Sequence, residues 1–385
     1  MRSRFWTSSV ALLALTVFFA SLGQGLQGSV TTNFLVQDLG LDGQQVLWLA
    51  GIREIPGLLL AFLAALVMRR ALSRRAGAAL LLMALGFGCY ALVHSYLALI
   101  IAVLVGSVGF HNWFPIQSAL GMGLVEREHS GRILGRMNAV AALGSVVGMG
   151  LVILMSERLG LRPFFLFSAT ALAVGAAIVV RLPPDIGAAN AESPRLVFRK
   201  RYWLYYVLIL FDGSRTQVFS ALGPWVLVQF YQVTAPQLAA LMIASRVVNF
   251  LAAPRVGDWF DQLGERRVLT ASYLGLAAAF VGYATFHEIW LLALMYVVIN
   301  FLYMFRIGLD TYVNRFAPPE ELSPTLSAGV SVNHITSVGV SLIAGSLVAS
   351  LGYEVLCLGA AAIILLSCPF ALSLKAALPR ESATA

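Results

Sequence analysis

Long apolar runs separated by short polar turns fill this chain from end to end. Windows of about 20 apolar residues, the length that a 30 Å hydrocarbon core demands, fall at roughly 8–35, 45–68, 76–94, 96–123, 134–156, 162–181, 202–231, 236–260, 268–286, 289–316, 325–350 and 353–374. The pattern predicts twelve spanning helices. Turns such as His94–Ser95 and 286–288 leave little room for extramembrane domains. The first run resembles a secretory signal, but it continues with polar interruptions to about Leu35, longer than a signal core, and is read as the first helix. The longest hydrophilic stretch begins at Arg181 and has prolines, small residues and a basic end. It is read as a cytoplasmic linker, 182–201, between a first half, 1–181, and a second, 202–385.

Composition sharpens this picture. The chain is 59% hydrophobic and 11% charged, against about 25% charge in soluble domains. Its mean hydropathy is +0.83, and an all-α integral membrane protein is expected. The net charge of +8 would suit nucleic acid, but the placement of the basic residues gives a better reason. With both termini cytoplasmic, twenty of the 26 Lys and Arg lie on the cytoplasmic side and only Arg158 and Arg162 in outer loops. Four, Arg53, Arg215, Arg246 and Arg306, lie inside spans. That asymmetry orients a multi-pass protein of the cytoplasmic (inner) membrane, with lipid and no nucleic acid as its surroundings. Cys89, Cys357 and Cys368 lie in apolar stretches with no metal spacing, so no disulfide framework, metal or cofactor is expected. No Walker loop, GxGxxG after a strand, HExxH or GxSxG is present, and an enzyme is not expected.

The two halves repeat. Gly23 and Gln27 fall on Gly213 and Gln217, Arg53 on Arg246, Phe110–His111 on Phe305–Arg306, and Asn138 on Asn333, at offsets growing from 190 to 195. Parallel six-helix repeats are a transporter architecture with the solute site near mid-bilayer. After helix 8 the sequence GDWFDQLGERR carries Gly257, Asp261, Gly264, Arg266 and Arg267. This resembles the cytoplasmic loop signature of the major facilitator superfamily, Gly-x-x-x-Asp-Arg-x-Gly-Arg-Arg, with Gln262 in place of the first basic residue. The loop after helix 2 has lost the pattern, with Ala64 for the glycine and Met68 for the aspartate. The loop 126–138, EREHSGRILGRMN, is similar to the family's basic link between helices 4 and 5. The resemblance implies twelve helices in two pseudo-symmetric halves, and a secondary transporter, symporter or antiporter, working as a monomer.

Seven formal charges lie within spans: Arg53, Glu54, Asp212, Arg215, Arg246, Arg306 and Asp310. Each costs about 3 kcal/mol in hydrocarbon on insertion scales. Asp212 and Arg215 at i,i+3, and Arg306 and Asp310 at i,i+4, can each neutralise on one helix face, as structural ion pairs or as gating and proton-coupling groups. Arg53 and Glu54 are adjacent, about 100° apart around a helix, and are expected to face different neighbours. Arg246 has only Asn249 within a turn. Four cations against three anions leave a surplus positive charge that a small anionic solute would balance. Guanidinium forks bind such oxygens at two points. Alternatively, Arg53 and Arg246 bind facing carbonyls or Glu54.

Other polar positions extend the candidate site. Gln24 and Gln27 recur with Ser21 and Thr31 as a polar stripe on helix 1, unfavourable against lipid. His111, Asn112 and Trp113 in helix 4 could stack on and hydrogen-bond a ligand, or simply pack. Glu54, Asp212 and Asp310 are the proton-coupling candidates, Glu54 first. A drug exporter would be expected to show Gly-Pro in helix 5, where ALGSVVGMGLV has no proline; a non-transporting sensor is the third reading. The orientation is testable: a green fluorescent protein fused to the C-terminus should fluoresce, and alkaline phosphatase there should be inactive.

Overall fold

The structure, a computed structural model, describes residues 7–59, 70–186 and 198–375. The first-loop positions Ala64, Met68 and Arg69 lie outside the described residues, as do Arg2, Arg4, most of the linker with Arg195, and Arg380. All regular elements among the described residues are helical.

α1 spans Ser8–Asn33 and runs into a wider π turn, Phe34–Asp38. The Thr7 hydroxyl caps it by accepting the Val10 N–H at 3.3 Å. α2, Gly43–Leu58, opens on a capping box. Asp42 Oδ1 accepts the Gln45 N–H at 2.8 Å, and the Gln45 side chain returns to the Asp42 N–H at 3.2 Å. Then come α3 (Leu72–Cys89), α4 (Tyr96–Gly123), α5 (Ser130–Leu159), α6 (Arg162–Val179) and α7 (Trp203–Tyr231). The run Ala235–Thr285 breaks at Gly264 into α8 and α9, and Pro319–Leu372 breaks at Gly352 into α11 and α12. Between them α10, Ile289–Phe316, tightens into a 3₁₀ turn at Met304–Arg306. Among the described residues twelve long helices result, as the apolar windows predict.

The chain divides into two compact units, Met1–Ser193 with Pro224–Ile243, and Pro194–Gly223 with Ala244–Ala385. In the first, α1 packs along α5 and α6, α3 along α4 and α6, and α2 along α4. Its core contains Leu13, Val17, Leu80, Met83, Trp113, Leu120 and Leu172. Helices approach closely where side chains vanish: a Cβ on Gly25 would run into the Ser145 backbone. The end of this unit at the α5–α6 junction is tied by Arg162. It donates to the Ala91 and Val93 carbonyls at 2.9 Å, pairs with Asp38 at 3.5 Å and lies over the Phe34 ring. The turn after α7 belongs here too, because Asn33 Nδ2 donates to the Val233 carbonyl at 2.7 Å. In the second unit Phe219 gathers the rings of Phe280, Tyr283, Tyr296 and Tyr303.

Three helix junctions rest on one backbone conformation. Gly160, between α5 and α6, has φ 72°, Gly264 has 77° and Gly352 has 80°, all with extended ψ. Only glycine occupies that region cheaply. Around Gly160 and Gly264 a Cβ would meet nothing within 4 Å, so the requirement is conformational and not steric. Gly264→Ala should therefore lower unfolding stability by about 1–3 kcal/mol. Gly150→Ala, in equally open space inside α5, should be neutral or stabilising by about 0.5–1 kcal/mol. Thermal unfolding in detergent compares the two.

Candidate functional site

The first unit gathers its intramembrane charges on α2 and α4. Arg53 Nε and Nη2 donate to Glu54 Oε1 at 3.2 and 3.1 Å. The expectation that these neighbours face apart is corrected here. Their Cβ atoms diverge, but the three-methylene stem of Arg53 lets its half-exposed guanidinium sweep back over the buried Glu54. Glu54 Oε2 also lies 3.4 Å from His111 Nε2, so the lone histidine of α4 is paired with the carboxylate.

Ser107 fixes the histidine. Its hydroxyl donates to the Arg53 carbonyl, and its Oγ and carbonyl oxygen each lie 3.0 Å from His111 Nδ1. Both can only accept from that nitrogen, so Nδ1 carries the proton and Nε2 is turned to Glu54. Pro56 in α2 leaves the Ile52 carbonyl without its i+4 donor, and Pro115 in α4 does the same to the His111 carbonyl. In the second half the 3₁₀ turn of α10 contains Arg306, which the repeat matches to His111. The second half tightens its helix at that position, whereas the first runs on as regular helix and loses only the hydrogen bond that Pro115 cannot donate.

In the second unit Asp212, 1% exposed, is the hub. Arg215 Nη2 donates to its Oδ1 at 3.3 Å, and Arg306 Nε pairs with its Oδ2 at 2.8 Å. The predicted Arg306–Asp310 pair is thus replaced: a carboxylate on α7 takes Arg306, and Asp310 forms no ion pair among the described residues. Arg215 is buried over the Tyr273 ring, 4.2 Å from its centroid, and Tyr303 donates to the Arg215 carbonyl at 2.9 Å. Tyr273 and Tyr303 sit in apolar helices with no local signal, and sequence reasoning missed them along with Ser107.

Arg246 on α8 differs from every other arginine in a span. Its side chain is exposed and forms no ion pair among the described residues. Asn249, one turn on, donates to the Asn300 carbonyl of α10 at 3.4 Å, while its Oδ1 is buried without a partner.

Three of the amides on α1 and α4 are held by their own helices. Gln24 Nε2 donates to the Ala20 carbonyl at 3.3 Å, Gln27 Nε2 to Thr31 Oγ1 at 2.7 Å, and Asn112 Nδ2 to the Val108 carbonyl at 2.8 Å. Trp113 is fully buried in the apolar core, which corrects the expectation that it stacks on a ligand. α4 is apolar almost all round, so its sequence does not reveal which aromatic faces inward.

In the loop motif, Asp261 accepts from Arg315 Nη2 at 2.9 Å, and Arg315 Nε lies 2.7 Å from the buried Glu265. Gly257, Arg266 and Arg267 are exposed around that clamp. Glu265 and Arg315 were not foreseen, although the glutamate directly follows Gly264 within the motif. At the start of α11, the Arg201 guanidinium bonded to Glu321 holds that carboxyl below its ordinary range.

A family model for the Major Facilitator Superfamily matches residues 13–245 and 205–385. None of the curated proteins compared by sequence matches. Among solved structures, the nucleoside transporter NupG superposes with a TM-score of 0.77 at 14% identity, covering 96% of this chain and 99% of its own. The human organic anion transporter MFSD10 (TETRAN) gives 0.61 at 14%, over 95% and 100%. A bacterial homolog of the human lysosomal transporter Spinster gives 0.72 at 12%, over 94% and 95%. At such identities the likeness speaks for the fold alone.

The hub carboxylate is testable. Asp212→Asn strips Arg215 and Arg306 of their shared partner and should destabilise by about 3–5 kcal/mol. Asp310→Asn, which breaks no ion pair, should cost under about 1 kcal/mol. Thermal unfolding of the purified variants measures both.

Proposed function

Since the chain belongs to the major facilitator superfamily and is a multi-pass membrane transporter rather than an enzyme, we propose that its cargo is a small anionic solute, carried by alternating access. In this reading Arg246 of the second unit holds the anion, and the Glu54–His111 pair of the first carries a coupling proton. Asp212, Arg215, Arg306 and Asp310 gate the second half.

One observation carries the reading. Arg53, Arg215 and Arg306 each meet a carboxylate, and Arg246 meets none among the described residues. An intramembrane guanidinium without counter-charge costs about 3 kcal/mol or more. A bound carboxylate or oxyanion supplies that charge and fits the fork of donors. The proton follows from the same electrostatics. Moving one negative charge against a negative-inside potential costs about 2.3 kcal/mol per 100 mV, and a proton carried with it cancels that cost. Glu54, buried against His111 and Arg53, is the carboxylate best placed to take it.

A thermal-shift titration of purified protein tests the anion, with carboxylates, nitrate, phosphate and tetraphenylphosphonium as probes. Anions should stabilise the protein, and Arg246→Gln should weaken their binding about 10- to 100-fold. Stabilisation by the lipophilic cation alone would instead favour drug efflux. In proteoliposomes, Glu54→Gln should abolish proton uptake while anion exchange persists.

A further inference from the structure

The start of α3, in the first unit, gathers donors with nothing to accept from them. Ala71 caps the helix without a side-chain hydrogen bond, and no acid occupies the first turn. The N–H groups of Leu72 and Ser73 are left pointing out of the helix, without a partner among the described residues. Arg70 stands just before the cap, and Arg74 and Arg75 follow it closely. None of the three forms an ion pair among the described residues. Cations thus crowd the positive end of a helix dipole, an arrangement that is unfavourable until an anion joins it. Two side chains set this turn apart from a solvated basic run. Ser73 is 2% exposed, yet its hydroxyl makes no hydrogen bond and is not sealed off. Arg75 is half-buried, and its Nε finds no acceptor. Buried donors of this kind are costly when left unpaired.

Neighbouring packing adds to the same charge. A Cβ on Gly77 would run into Val180, so the end of α6 stands against this turn, and the exposed Arg181 follows directly. Asp185, just beyond, is exposed and pairs with none of these arginines. The surface of α3 indicates which anion fits. Arg74, Ala78, Leu81 and Leu85 share one helix face and are all exposed, whereas Ala76, Leu80 and Ala84 on the other side are buried. From Arg74 to Leu85 the helix rises about 16 Å, the hydrocarbon depth of one leaflet. An acyl chain can lie along those leucines while the phosphate of the same molecule reaches the helix start. We propose that α3 carries a site for an anionic phospholipid of the cytoplasmic leaflet. Its phosphate takes the Arg74 and Arg75 guanidinium groups, the Ser73 hydroxyl and the free N–H groups, and Arg70 and Arg181 strengthen the local field. The site lies wholly within the first unit and does not depend on what the cargo is.

Native mass spectrometry and thermal unfolding of the full-length purified protein test this, with dioleoyl phosphatidylglycerol, dioleoyl phosphatidylcholine and inorganic phosphate as probes. Phosphatidylglycerol should stay bound and raise the melting temperature, with phosphatidylcholine about tenfold weaker or more. Inorganic phosphate, which lacks the chain, should not compete at matched concentration. The double change Arg74→Gln, Arg75→Gln should weaken phosphatidylglycerol about 10- to 100-fold, and Ser73→Ala about two- to tenfold. Arg132→Gln, at an exposed position on α5, should leave binding unchanged. If the double variant does not fold, Arg74→Gln alone, at an exposed position, should weaken binding about fivefold. Equal binding of phosphatidylcholine, or inorganic phosphate as tight as the lipid, would overturn the assignment. So would a loss in Arg132→Gln as large as in the Arg74 variant, because diffuse basic charge would then explain the binding.

Discussion

A charge placed in hydrocarbon must find its opposite, and that requirement organises both halves of this transporter. In the second unit a single buried carboxylate, Asp212, neutralises Arg215 and Arg306 from two different helices. Tyr273 and Tyr303 complete the surroundings of Arg215 with a ring face and a hydroxyl. In the first unit Glu54 is shared between Arg53 and His111. Missing or displaced helix hydrogen bonds accompany both clusters: Pro56 and Pro115 beside one, the 3₁₀ turn of α10 at the other. Backbone groups freed at such breaks need water or polar neighbours, so charge and helix interruption support each other where they coincide.

The halves share a plan but have solved one problem in different chemistry. The second half closes its loop motif with Arg315 between Asp261 and Glu265. At the repeat-equivalent positions the first half carries Leu120, Met68 and Leu72. Leu120 lies in the apolar core of its unit, and Leu72 packs against the same cluster. The loss of the aspartate signature after helix 2 therefore goes with apolar residues at all three positions that form the ion-paired clamp in the second half. Exchanges of this kind are often neutral or stabilising, because the desolvation of buried charges disappears.

Much of the architecture was legible in the sequence because the bilayer imposes length and hydropathy on every span. The windows at 236–260 and 268–286 emerge as one run broken by Gly264, and those at 325–350 and 353–374 as another broken by Gly352. The motif glycine signalled the first break. The ion pairs were less legible. Asp212–Arg215 is local and follows from helical spacing, whereas Arg306 to Asp212 joins helices far apart in the chain. Arg53 misled for another reason: helical angle fixes where a Cβ starts, while a long side chain decides where its charge ends. Trp113 could not be told from a ligand-facing residue because neighbouring positions on α4 are equally apolar.

The unlike clamps have a consequence for how the protein answers its surroundings. Coulombic attraction between partly solvated groups such as Asp261 and Arg315 is screened by dissolved ions. Packing of Leu120 and Leu72 is nearly blind to salt but weakens on cooling. Ionic strength thus acts on the loop-motif end of the second unit and temperature on the matching positions of the first, so repeated sequence positions answer to different conditions.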